Sequence, residues 1–275
     1  MPQRLRDLWT APLPSTAGWI DHGILPRGGI LLLGGPAKIG KTFLLLDMSY
    51  SLTWGGRLWG SGYEIREPTT VLYLDYEVGE YEFQRRVKLR PSVPHDNLYY
   101  IAKPADMWLD TRQGIEKLKT EIDAVGAKVV IVDPVSRAML GHENDNTQVQ
   151  VLFKHLDSLI TSYKDLSIVL SHHFGKPPQG ENRKEYDPFS PYNFRGASKW
   201  FDACDSLITL VPVEPAGGEW LRLEVGMELR RGPSPDNGEI ILAVGDGGVV
   251  RRVEGAKGPL KAAGPVAFSG WSRVK

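Results

Sequence analysis

Short apolar runs alternate along this chain with longer stretches that turn apolar every three or four positions. Runs at 29–33, 70–75, 98–102, 128–133, 167–171 and 206–211 predict strands. Between most of them, segments 41–54, 79–89, 111–125 and 147–162 carry the helical period. Strand and helix in alternation give an α/β fold, a mostly parallel twisted sheet with helices on both faces. After residue 206 the helical period stops. Segments 220–229, 238–244 and 249–253 predict short strands joined by the turn signals SPDNG and DGG, so the sheet is expected to end in antiparallel strands.

Three stretches break the pattern: a Pro-interrupted arm over 1–22, a polar Pro/Gly loop over 175–194, and a tail over 255–275 rich in Gly, Ala and Lys. The expected organisation is therefore an arm (1–22), one α/β domain (23–254) and a basic tail (255–275), with six Lys or Arg against one Glu over 251–275. Residues AVILMFWYC make up 41% of the chain, ample for a core. Formal charge is zero, so no global field favours nucleic acid or a membrane surface, and any polyanion site must be local. Cys204 is the single cysteine, which excludes an internal disulfide and a Cys-based zinc site. With no apolar run near 18 residues and no signal-peptide core, the expectation is a cytoplasmic protein with no membrane partner.

The chemistry is concentrated at strand ends. GPAKIGKT, from Gly35 through Pro36, Ala37, Lys38, Ile39, Gly40 and Lys41 to Thr42, matches G-x-x-x-x-G-K-[ST] between an apolar strand and a helix that continues with Phe43. In that context backbone N–H groups surround phosphates, Lys41 reaches the terminal ones and Thr42 ligates Mg2+, so ATP and Mg2+ are the expected cofactors. Asp133, at the end of the strand VVIVD, supplies a second metal ligand, a carboxylate. YLDYE ends another strand: Glu77 lies just beyond the tip, where open α/β sheets place ligands and a carboxylate can polarise an attacking water. Asp75 is its rival and also fits a turn cap. A further strand ends in His172 and His173, where a side chain can touch the γ-phosphate and report its loss to the following loop.

Together these pieces resemble the RecA-type P-loop ATPases, most closely RepA-like hexameric replicative DNA helicases of plasmids and phages. The resemblance covers roughly residues 20–245 and is carried by LPRGGILLLGGPAKIGKT, YLDYE, VVIVDP with GHENDN, SHHFGK, RGASKWFDACDSLITL and ELRRG. It implies that Glu77 activates water, that His172 senses γ-phosphate, and that an arginine from a neighbouring subunit completes the site. Arg195, Arg230 and Arg231 are the candidates for that arginine, surface ion pairs being the alternative for each. It also implies a homo-oligomer, a hexamer in the relatives, with ATP at the subunit seam.

In such rings the loops after the metal-side and sensing strands face the channel; here these are 136–147 and 175–194. The second interleaves Lys176, Arg183 and Lys184 with Tyr186, Phe189, Tyr192 and Phe194, a composition suited to single-stranded DNA, while Glu181, Glu185 and Asp187 dilute the charge. Some twenty residues precede the core, so a replication initiator or primase is expected as a separate partner. The arm, with Leu8, Trp9 and Trp19 as apolar anchors, packs either on a neighbour or on its own core. Two other functions share these residues: a KaiC-like regulatory ATPase and a RecA-like recombination or repair ATPase.

Overall fold

The structure is a computed structural model, and it describes residues 4–11, 18–60, 63–90, 92–175, 186–194, 196, 199–213, 221–230, 234, 240–245 and 248–253. The chain opens with α1 (Leu5–Thr10) and a ribbon of β1 (Gly18–Ile20) and β2 (Leu25–Pro26). Next come β3 (Ile30–Gly35), α2 (Lys41–Trp54), a second ribbon of β4 (Gly56–Arg57) and β5 (Glu64–Ile65), β6 (Val71–Asp75), α3 (Glu80–Lys88), β7 (Leu98–Ala102), α4 (Arg112–Val125) and β8 (Val129–Asp133). They are followed by α5 (Asn146–Ser162), β9 (Ser167–His173), α6 (Lys199–Asp202), β10 (Ser206–Val213), β11 (Leu221–Leu229), β12 (Ile240–Val244) and β13 (Val250–Arg252).

Nine strands form one sheet in the order β13-β12-β11-β10-β3-β9-β8-β6-β7. From β10 to β7 all neighbours are parallel; β11, β12 and β13 extend the β10 side antiparallel. This is the expected α/β, RecA-like architecture with an antiparallel C-terminal end. The arm departs from the irregular reading: it holds α1 and β1, and Trp19 is buried on its own chain, donating from Nε1 to the Asp165 carbonyl (3.0 Å) beneath the Arg27 guanidinium. Trp9 stays 89% exposed, so of the two tryptophans only Trp19 anchors the arm to this core.

Period two splits the strands between two cores. Leu31, Leu33, Tyr73, Ile131 and Val169 face α2 and α3; Ile30, Leu32, Leu72, Val130, Val132, Ile168 and Leu170 face α4, α5 and α6. Helix α2 is buried on most of its circumference, because the β4–β5 ribbon and Trp59 cover its outer side, the indole N–H reaching the Leu44 carbonyl (3.1 Å). At the far end of α3, Arg90 pairs with Asp47 of α2 and donates to the Gly248 carbonyl (3.2 Å), tying the C-terminal strands to the helix that follows the Gly-rich loop. Helices α4 and α5 begin at side-chain caps, Thr111 accepting from Gly114 N–H and Asp145 from Thr147 N–H. Among the described residues no helix is long and apolar enough to cross a membrane.

Candidate active site

The tips of β3, β6, β8 and β9 come together at the carboxyl end of the parallel sheet, where α2 starts. The Gly35–Thr42 loop turns into α2 through Gly40, whose left-handed backbone (φ 85°) suits a residue without Cβ. Ala37 and Lys38 are exposed at the loop's crest, while Lys41 is buried at its floor. Its ammonium donates to the carbonyls of Gly35 (3.0 Å) and Pro36 (2.7 Å) and lies 3.0 Å from His173 Nδ1. Burial lowers the Lys41 pKa to about 8, with Asp133 and Glu77 pulling the other way.

Asp133 is the hub. Its Oδ2 accepts from Thr42 Oγ1 (2.8 Å) and from the Tyr73 phenol (2.8 Å), and its Oδ1 accepts from Ser171 Oγ. Burial, then the charge of Asp133 and the bond to it, pushes the Tyr73 phenol well above its usual range, so it stays a donor. Tyr73 and Ser171 are site residues that sequence reasoning passed over. The available signal was a hydroxyl on an otherwise apolar strand, on the same face as the strand-end carboxylate.

The structure separates the roles of the two acids in YLDYE. Asp75 is 1% exposed and accepts four hydrogen bonds: from the N–H groups of Glu77 (2.9 Å), Val78 (2.9 Å) and Gly79 (2.7 Å), and from the Tyr100 phenol (2.8 Å). It folds the turn that leads into α3. Glu77 projects from that turn with its side chain 45% exposed, 3.5 Å from the Arg137 guanidinium. A carboxylate so placed is accessible to water and has no competing backbone bond among those described.

The histidines divide by strand period. His173 lies on the face of Ser171 and meets Lys41; His172 points to the opposite core, fully buried against Trp200 (4.5 Å between ring centroids) and Phe194 (5.9 Å), with Glu143 Oε2 3.9 Å from its Nδ1. The ring beside the phosphate loop is therefore that of His173, not the His172 expected there. Arg230 sits after β11, which runs antiparallel, and so at the opposite end of the sheet, level with the start of β10 and β3. That is about five residues, or roughly 16 Å, below Gly35. Its guanidinium donates to the carbonyls of Asp202 (2.9 Å) and Phe201 (3.1 Å). A cavity of about 170 Å³ opens beside it, lined by Cys204, Asp205 and Glu228 among others, away from the phosphate loop. Arg195, Arg231, Lys176, Arg183 and Lys184 lie outside the described residues.

No group of three or more His, Cys, Asp or Glu able to hold a metal occurs among the described residues. One hydroxyl and one carboxylate in contact, Thr42 and Asp133, are the donor set that suits Mg2+, which keeps several waters and takes its remaining ligands from phosphate. The residues thus fit a magnesium nucleotide.

A family model described as an AAA domain matches residues 2–179. Among solved structures, the KaiC-like protein PH0186 from the hyperthermophilic archaeon Pyrococcus horikoshii OT3 aligns over 88% of this chain and 100% of its own, with a TM-score of 0.58 and 13% identity, a likeness of fold. No curated protein matches the chain.

Proposed function

This chain belongs to the AAA domain family, and from that premise we propose that it is an ATP-hydrolysing, ring-forming motor that translocates on single-stranded DNA as a replicative helicase. The coarse part of this reading, a RecA-type P-loop ATPase, follows from family and fold together. The observation that carries the motor is where the second loop is anchored. Phe174 bridges Phe194, and the Phe194 ring lies where a Cβ on Gly34 would stand (2.2 Å), directly on the strand that feeds the phosphate loop. A change at the nucleotide therefore has a short mechanical path to that loop.

Each residue's part follows from its surroundings. The N–H groups at the start of α2 and the Lys41 ammonium bind the triphosphate, Lys41 giving up the Gly35 and Pro36 carbonyls to do so. Thr42 and Asp133 would hold Mg2+, which when bound neutralises charge on the phosphate oxygens. Glu77 orients a water and takes its proton. His173, in contact with Lys41, reports the state of the phosphates through β9 to Phe174. The site is completed in trans by an arginine sought among Arg195, Arg230 and Arg231; Arg230 would have to leave its own carbonyls to serve.

A second reading, a KaiC-like regulatory ATPase that moves protein and no DNA, is favoured by charge: segment 136–147 carries one Arg against Glu143 and Asp145. ATPase rate with and without single-stranded DNA, on material of known mass in solution, decides. Stimulation in an assembled ring supports the motor; a rate indifferent to DNA at every assembly state refutes it and leaves the regulatory ATPase.

A further inference from the structure

Two phenols reach the two buried carboxylates of the site, and one aromatic ring touches both. Tyr73, fully enclosed on β6, donates to Asp133 Oδ2, the oxygen that also accepts from Thr42. Tyr100, on the adjacent β7, donates to Asp75 Oδ2, the oxygen that also accepts from Gly79 N–H. Phe83 of α3 stacks on the Tyr100 ring at 4.0 Å (interplanar angle 16°) and lies tilted against Tyr73 at 5.0 Å. Phe83 follows Gly79, the last residue of the turn that Asp75 ties, by four residues, one helical turn, and its N–H donates to the Gly79 carbonyl (3.0 Å).

We infer that Tyr73 and Tyr100 are positioning residues, a phenol pair held through Phe83, which fix the metal-side carboxylate Asp133 and the Glu77 turn as one unit. The inference rests on the ATPase reading above. The chemistry favours this over ordinary packing. A buried carboxylate needs its lone pairs filled, yet each phenol spends its single proton on an oxygen that already has a donor, Thr42 for Asp133 and Gly79 for Asp75. The phenol's bond, the third on Asp133 and the fourth on Asp75, fixes the plane of the carboxylate. For Asp133, the plane decides which oxygen would be turned, with Thr42, towards a bound cation. For Asp75, it decides the direction in which the turn presents Glu77. Because α3 presses on both rings, a shift of α3 would turn both carboxylates together.

Tyr73→Phe and Tyr100→Phe each delete one oxygen and keep the ring. The test is Mn2+ binding in the presence of ADP, followed by the electron paramagnetic resonance of free Mn2+, beside steady-state ATPase at saturating Mg2+, all on the full chain. Loss of a bond to a charged group predicts about tenfold weaker Mn2+ binding for Tyr73→Phe, and about tenfold lower turnover with unchanged Mn2+ affinity for Tyr100→Phe. Phe83→Leu is expected to move both readouts together, which independent structural roles would not do. Parent-like Mn2+ affinity in folded Tyr73→Phe, parent-like turnover in Tyr100→Phe, or a Phe83→Leu protein changed in neither overturns the inference while the ATPase reading stands. A parent protein that neither binds Mn2+ with ADP nor hydrolyses ATP overturns both.

Discussion

Replacing Asp75 by Asn separates its role from that of Glu77. The two Asp75 oxygens accept three backbone N–H groups and one phenol, two donors on each oxygen. An amide keeps one oxygen and turns the other into NH2, and because both oxygens face backbone N–H groups, neither orientation of the amide avoids a donor-to-donor conflict. At least one charge-assisted bond is lost outright, at about 1.5–3 kcal/mol, and the survivors become neutral bonds worth roughly half as much, so a loss of about 3 kcal/mol is expected. With a urea slope of about 3 kcal/mol per molar, the unfolding midpoint falls by about 1 M. Glu77→Gln behaves in the opposite way. Its side chain is 45% exposed and meets only a long contact to Arg137, so stability changes by about 0.5 kcal/mol or less, while loss of a general base lowers turnover by about 10²–10⁴. Equilibrium urea unfolding by circular dichroism and steady-state ATPase on the same samples read both quantities. An unmoved midpoint in Asp75→Asn together with full turnover in Glu77→Gln would exchange the two roles and refute the assignment of Asp75 as the turn's tie.

Lys41 titrates at about 8 in the folded chain against 10.5 ordinarily, so between those values the unfolded chain binds more protons and stability rises with pH. Nucleotide-free wild type should therefore gain up to about 3 kcal/mol on Lys41→Met between pH 8 and pH 10.5, and parallel urea midpoints for the two proteins would refute the buried-ammonium account. His172→Ala should cost about 2–4 kcal/mol by opening a cavity beside Trp200 and Phe194, whereas His173→Ala should keep its melting temperature and lose turnover; thermal melts and ATPase rates distinguish them. Gly34→Ala puts a methyl 2.2 Å from the Phe194 ring and 2.7 Å from Phe174, so it should abolish any stimulation by single-stranded DNA while ADP affinity, read by calorimetry, stays within about threefold. Retained stimulation would show that the base of the loop does not transmit.

The sheet was legible because its strands are buried on both faces and read as continuous apolar runs, and its helices because the apolar period over 111–125 and 147–162 starts within a residue of α4 and α5, which the structure opens at the side-chain caps Thr111 and Asp145. The cradle was legible for the same local reason, since a Gly-rich turn, a lysine and a hydroxyl at fixed spacing close on one helix terminus. Legibility ended where function depends on which face of a strand a residue takes. A doublet such as His172-His173 puts one ring on each face, and nothing within SHH says which face carries the phosphates. That information is held by the neighbours. Asp133 shares the face of Val129 and Ile131, which pack with α2, and Ser171 of β9 donates to Asp133; two residues on from Ser171 the same face presents His173, and His172 must turn away. The same parity places Tyr73 beside Asp133, since Tyr73 pairs with Ile131 in the sheet register. Once one carboxylate is assigned to the α2 face, alternation along β6, β8 and β9 fixes the other groups around it. A single register relation between β8 and β9 would thus have turned an ambiguous pair of histidines into one site residue and one core residue.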